Sequence, residues 1–160
     1  MKIKNVVINL LCVAAGAAGA AVVVWKSFQK GKWAQSDRIT KFVEYFNILD
    51  AWMKIKEENK EIESYFTEND IKTIAIYGMG KMGKHLVASL EGTSIEVAYG
   101  IDRNTGVASP IKCYGIDEEW PEVDAIVVTA TFDFDNIESL IRKKACVEII
   151  PLDTIIYDVL

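Results

Sequence analysis

Histidine and paired cysteine are nearly missing from this chain of 160 residues, which holds one histidine, His85, and three cysteines, Cys12, Cys113 and Cys146. No two cysteines stand at a CxxC or similar spacing, so neither a zinc site nor a disulfide framework follows from the sequence, and no metal is expected. Three reduced thiols packed as small hydrophobes in a reducing compartment fit this usage. Basic residues are scarce over the last hundred positions, where 8 Lys/Arg stand against 18 Asp/Glu. Binding a phosphate backbone needs a Lys/Arg surface, so no nucleic-acid partner is expected.

What basic charge there is gathers in a collar: residues 26–41 carry Lys26, Lys30, Lys32, Arg38 and Lys41 against one acid. Ahead of it, residues 6–25 form an uncharged run of twenty. At ~1.5 Å per residue such a helix spans the ~30 Å core of a bilayer, which predicts a transmembrane anchor. Its middle is only Ala and Gly, and Lys2, Lys4 and Ala18-Gly19-Ala20 also fit a cleaved signal peptide. Against cleavage, the apolar run continues through Val22 and Trp25, and Trp25-Lys26 has the form of an interfacial anchor. The collar outweighs Lys2 and Lys4, so a single-pass cell-membrane protein with its C-terminal domain in the cytoplasm is expected. Gly16 and Ala20 have the small-xxx-small spacing of a helix pair, one route to a homodimer. The expected organisation is a tail at 1–5, the anchor at 6–25, collar and amphipathic helices at 26–70, and a globular domain at 71–160.

In the amphipathic segment, Ile39, Phe42, Val43, Phe46, Leu49, Trp52, Met53 and Lys56 recur at three and four, one apolar stripe on a helix from about 36 to 58 that Ser36 caps. A second helix, 60–67, offers Ile62, Tyr65 and Phe66 before Glu68-Asn69-Asp70 breaks it. These aromatics are read as a face packed on the sheet, or on a twin chain, in preference to a ligand box. From Ile71 the period changes. Strands are expected at 73–77, 95–101, 111–114, 124–131 and 147–150, helices at 81–90 and 133–144, and a closing turn at 151–159. Alternation of this kind predicts an α/β fold with a small Rossmann-like, doubly wound parallel sheet.

The segment Tyr77-Gly78-Met79-Gly80-Lys81-Met82-Gly83 places Gly-x-Gly-x-x-Gly between a β-branched strand and a helix, the context of a phosphate-binding turn. The first glycine allows the tight turn, the second admits a phosphate to the backbone, and the third lets helix and strand pack closely. Backbone N–H groups and the positive helix end favour an anion. Asp102, nineteen residues after Gly83, is placed to accept from ribose hydroxyls and favours NAD or a nucleoside diphosphate sugar. Arg103 beside it keeps NADP as a lesser option. Thr129, Ala130 and Thr131 are expected to line the cleft opposite the loop. A tight turn that binds nothing is the alternative. A P-loop reading fails because His85 stands where Ser or Thr must hold magnesium, and because Asp124 begins its strand. His85 itself, in the first turn of the helix, is open to a ligand role or a surface role. Tyr77 and Lys81 match a Tyr-x-x-x-Lys spacing that requires one helix face, whereas here the loop separates them. No catalytic residue emerges.

Residues 41–66, Lys72 through Gly80, Ile101-Asp102-Arg103-Asn104, Asp124 through Ala130 and the ending 150–159 together resemble small uncharacterised Rossmann proteins of Firmicutes, often associated with glycosyltransferase and surface-polysaccharide genes. The nucleotide-binding half is similar to the N-terminal domain of PglD-type sugar acetyltransferases and to nucleotide-sugar epimerases. Only the glycine loop and Asp102 carry over; the epimerases' catalytic residues have no matching positions, and the acetyltransferases' β-helix is absent. The resemblance implies a membrane-anchored cytoplasmic module that binds NAD(H) or a nucleoside diphosphate sugar and assists polysaccharide assembly. Two alternatives stand beside it: an oxidoreductase or epimerase whose substrate half comes from a partner, and a scaffold that recruits a glycosyltransferase.

Overall fold

The structure, a computed structural model, describes residues 38–106 and 108–160. The apolar run at 6–25, most of the collar and the Ser36 cap lie outside the described residues. No helix among the described residues is long and apolar enough to cross a membrane. The chain divides into two compact units between Glu44 and Tyr45. The described part of the first is helical. The second unit takes in both the sheet and most of the helical segment expected ahead of it.

Residues 38–57 form α1. Asn59, in the left-handed region at φ 56°, follows the helix end; Asn tolerates that conformation better than most residues. Helix α2 (Glu63–Glu68) is followed by Asp70 at φ 58°, which turns the chain into β1 (Thr73–Tyr77). Then come α3 (Lys81–Leu90), β2 (Glu96–Ile101), β3 (Cys113–Tyr114), β4 (Ala125–Val128), a 3-10 turn (Thr131–Asp133), α4 (Phe134–Ile141), β5 (Glu148–Pro151) and α5 (Leu152–Val159). The five strands are all parallel, in the order β3-β2-β1-β4-β5. The chain winds outward from β1 to β3, then returns to β4 on the far side of β1. The switch point therefore lies at the carboxyl ends of β1 and β4.

Both faces of the sheet are covered, which is why β1 and β4 read as unbroken apolar runs with no polar alternation. On one face Ile74, Ile76, Ala125 and Val127 meet Leu86 of α3, Ile155 and Ile156 of α5 and Phe66 of α2. On the other, Ala75, Tyr77, Ile126 and Val128 meet Ile137 and Ile141 of α4, with Tyr114 of β3 and Ile116 and Trp120 from the helix-free segment after it packed alongside.

Several expectations change, beginning with the closing turn expected at 151–159, which is helix α5. The strand expected at 124–131 ends at Val128: Thr129 N still donates to Tyr77 O (3.0 Å), and the chain then coils into the 3-10 turn. The strand expected at 111–114 shortens to two residues, paired only through Gly100 and Ile101. A further correction concerns α1. Its stripe, read as a face packed on the sheet or on a twin chain, is mostly exposed in this chain; Ile48, Ala51, Trp52 and Ile55 are buried instead, and of the stripe only Trp52 is among them.

Candidate functional site

The expected loop joins β1 to α3 at the carboxyl edge of the sheet, beside the switch point. Each of its glycines is required, or left free, for a separate reason. Gly78 takes φ +96°, and a Cβ there would lie 2.7 Å from Thr129 Oγ1. Gly83 sits under the turn, where a Cβ would run into Gly78 O; helix and strand meet here with no room for a side chain. Gly80 is different: a Cβ on it would meet nothing within 4 Å. It is exposed, and it caps α3 without a side chain, so the first-turn N–H groups have no side-chain acceptor. An unobstructed helix N-terminus of this kind can receive an anion.

The loop is tied from below on both sides. Gly78 N donates to Ile101 O (2.8 Å), and the Thr129 hydroxyl contacts Gly78 O (2.7 Å) and Tyr77 O (3.2 Å). Asp102 leaves β2 and turns its carboxylate to the loop: Oδ2 accepts from Met79 N (2.8 Å) and Oδ1 from Asn104 N (2.9 Å). A carboxylate has about four acceptor positions, so capacity for hydroxyl donors remains. The same two bonds show a positioning task for Asp102 that its spacing from Gly83 does not reveal.

The expected site residues separate into two groups. Met79 and Met82 are buried, Met79 against Gly100, so only their backbone can face a ligand. Thr129 is buried with its hydroxyl engaged by the loop carbonyls, and Thr131 is buried in the 3-10 turn, with Ala130 half-buried between them. Gly80, Lys81 and Arg103 are exposed at the carboxyl edge, as is His85 along α3. Tyr77 ends β1 and Lys81 opens α3, on separate elements.

Beyond β2 and β3, Arg103, Thr105, Gly115, Ile116, Asp117 and Glu118 line a depression of about 430 Å³. Neither the 115–118 segment nor Thr105 carries a motif; pairing of β3 beside β2 brings them next to Asp102. Cys113 lies near this edge half-buried, and burial, with Asp102 and Glu118 nearby, pushes its thiol above the ordinary value.

A larger cavity, about 530 Å³, lies at the other end of the sheet, lined by Tyr99, Trp120, Lys144, Cys146 and neighbours that precede β4 and β5. Two of its polar side chains are engaged in fastening: Tyr99 Oη donates to Pro121 O (2.5 Å), and Lys144 Nζ donates to Glu118 O (2.9 Å) and Ile116 O while lying 4.6 Å from the Trp120 ring centre. Parallel sheets of this winding take their ligands at the carboxyl ends, and only that end combines a glycine turn, a helix N-terminus and a carboxylate. Among the described residues no cluster of His, Cys, Asp or Glu could hold a metal ion. Comparison with family models, with curated proteins and with solved structures finds no match to this chain.

Proposed function

We propose that this protein binds a nucleotide, NAD(H) or a nucleoside diphosphate sugar, with its diphosphate on the turn from Gly78 to Gly83 and the N-terminus of α3. The observation that carries the reading is the contrast among three glycines: Gly78 and Gly83 are excluded from having a side chain by close neighbours, whereas Gly80 faces open space. At this N-cap a Ser, Thr, Asn or Asp would spend its side chain on the first-turn N–H groups, whereas a glycine leaves them open to phosphate oxygens. In this reading Asp102 accepts from ribose hydroxyls with its remaining lone pairs, and the nucleoside lies in the depression beside Arg103. Asp117 and Glu118 put two acids against one arginine in its lining, which favours an unphosphorylated ribose over the 2′-phosphate of NADP. The apolar run at 6–25 would hold this domain at the inner face of the cell membrane, where sugar nucleotides are consumed in surface-polysaccharide assembly.

Titration calorimetry of the full chain in mild detergent, against NAD, NADP, UDP-sugars and CDP-sugars, tests the reading. Binding of one of these is expected, weakened at least tenfold in Gly80→Val. Absence of both heat and thermal stabilisation at millimolar ligand would overturn it.

A further inference from the structure

Two depressions flank the glycine turn. The one beside Arg103 lies beyond β2 and β3, and a smaller one of about 130 Å³, lined by residues 131–136, lies just after β4. The sheet order β3-β2-β1-β4-β5 puts β1, and the turn that leaves it, between them. The smaller depression also begins close to the turn: a Cβ on Gly78 would lie 3.9 Å from Ala130 N, and the next residue opens the 3-10 turn. A ligand whose diphosphate rests on the glycine turn can therefore extend to both sides. A dinucleotide, with one nucleoside at each end of its diphosphate, has that shape.

The smaller depression is built around an aromatic ring. Phe132 stays 39% exposed although its neighbours pack on both core faces: Tyr45, which touches it, on the α3 and α5 face, and Phe134, two residues on, on the α4 face. This sets Phe132 at the carboxyl edge of the sheet. Its ring meets that of Tyr45 edge to face, with centroids 5.8 Å apart and planes at 87°, a favoured arrangement that fixes the ring plane. In such a pair Tyr45 takes at most one face of Phe132. The volume suits a single ring, since a whole drug-sized ligand fills about 300 Å³ or more.

Charge selects the ring. Residues 131–136 include Asp133 and Asp135 and no basic side chain. Asp133 precedes α4 without capping it; its Oδ1 accepts from Asn136 Nδ2 (2.7 Å), and a carboxylate has about four acceptor positions. An oxidised nicotinamide brings a positive ring and a carboxamide with two N–H donors, and both are favoured beside two carboxylates. A hexose also lies well on an aromatic ring, but it brings no positive charge.

Resting on the nucleotide reading above, we infer that Phe132 is the platform on which the nicotinamide ring of oxidised NAD stacks, with Asp133 and Asp135 opposing its charge and accepting from its carboxamide. Calorimetry of the full chain in mild detergent compares oxidised NAD, NADH, UDP-glucose, and ADP-ribose, which lacks the nicotinamide. Oxidised NAD is expected to bind about fivefold more tightly than ADP-ribose, the order of one aromatic contact, and more tightly than NADH. Phe132→Ala is expected to bring oxidised NAD to the affinity of ADP-ribose, while ADP-ribose, which does not reach Phe132, keeps its own. Phe132→Leu retains an apolar side chain against Tyr45 and is expected to show the same loss. Asp133→Asn combined with Asp135→Asn is expected to remove the preference for oxidised over reduced NAD. Equal wild-type affinity for oxidised NAD and ADP-ribose, or for oxidised NAD and NADH, overturns the inference and leaves the glycine-turn reading standing. So does an equal loss of oxidised NAD and ADP-ribose in both Phe132 variants, or binding of UDP-glucose in place of NAD and ADP-ribose. Binding of none of the four defeats the nucleotide reading itself.

Discussion

At the amino end of the sheet Asp124, Tyr99 and Lys144 are spent on bonds that fasten segments together, whereas at the carboxyl end the glycine turn keeps one side uncovered. Asp124 Oδ2 alone accepts from Lys72 N (2.9 Å), Thr73 N (2.7 Å) and Thr73 Oγ1 (2.9 Å), joining the starts of β4 and β1. Those bonds hold the Asp124 carboxyl below its ordinary value. Burial pushes the Tyr99 phenol up to about 12, so at the same end it stays a neutral donor to Pro121 O. The carboxyl end uses the same kinds of bond, but underneath the surface: Thr129 and Asp102 hold the glycine turn by its inner side. Its outer side, at Gly80, is bare. The difference teaches how to read a polar cluster. Bonds that close a group's last capacity fasten a fold, and bonds that fix a backbone while leaving its far side free prepare a surface.

Substitutions at the two ends should separate these roles. Gly83→Val is expected to cost most, about 3 kcal/mol in urea unfolding, because its side chain must displace the Gly78 carbonyl from beneath the turn. A cost below about 1 kcal/mol would mean that helix and strand are not in close contact there. Gly78→Ala follows at about 2 kcal/mol, from a left-handed φ and a Cβ within 2.7 Å of Thr129 Oγ1. Thr129→Val keeps the shape and removes the hydroxyl bond to Gly78 O, for about 1 kcal/mol in the same measurement.

A smaller, pH-dependent effect is expected at the amino end. Because the folded pKa of Asp124 is lowered, its contribution is complete above the ordinary carboxylate value of ~3.9 and disappears as pH falls through the lower folded value. Asp124→Asn lacks that dependence. Its deficit relative to wild type in urea midpoint should be constant near neutral pH and shrink as pH falls below the ordinary carboxylate value. The smallest stability change belongs to Gly80→Val, below ~1 kcal/mol, since open space surrounds that position and only a poorer N-cap is left to cost anything. If Gly80→Val unfolds the protein as Gly83→Val does, the contrast between the glycines fails.

Much of this was legible in the chain. The strand at Thr73–Tyr77, the turn and the helix Lys81–Leu90 fall where β-branched residues, glycine spacing and apolar periodicity place them. Asp102 was legible as the acid after the second strand, but its bonds to Met79 N and Asn104 N were not, because they depend on how β2 lies beside β1. Thr129 was expected in the cleft, yet its hydroxyl turns to the loop carbonyls, because β4 ends at Val128, three residues before the expected end. Helix α1 misled for another reason. It carries apolar residues on two faces, and the periodic signal picked out the exposed one; only the position of the sheet selects Ile48, Trp52 and Ile55 for the interior.

By itself, then, the sequence determined what depends on near neighbours: a β-branched segment extends, three glycines at fixed spacing turn it sharply into a helix, and alternating strands and helices commit the chain to a parallel sheet. Tertiary structure decided what depends on partners distant along the chain. It set the order β3-β2-β1-β4-β5, the inward turn of Thr129, the Asp102 bonds to the loop and the buried side of α1. The physical reason is range. Backbone propensity acts over a few residues, whereas burial and hydrogen-bond pairing are settled only when segments far apart in sequence are brought into contact.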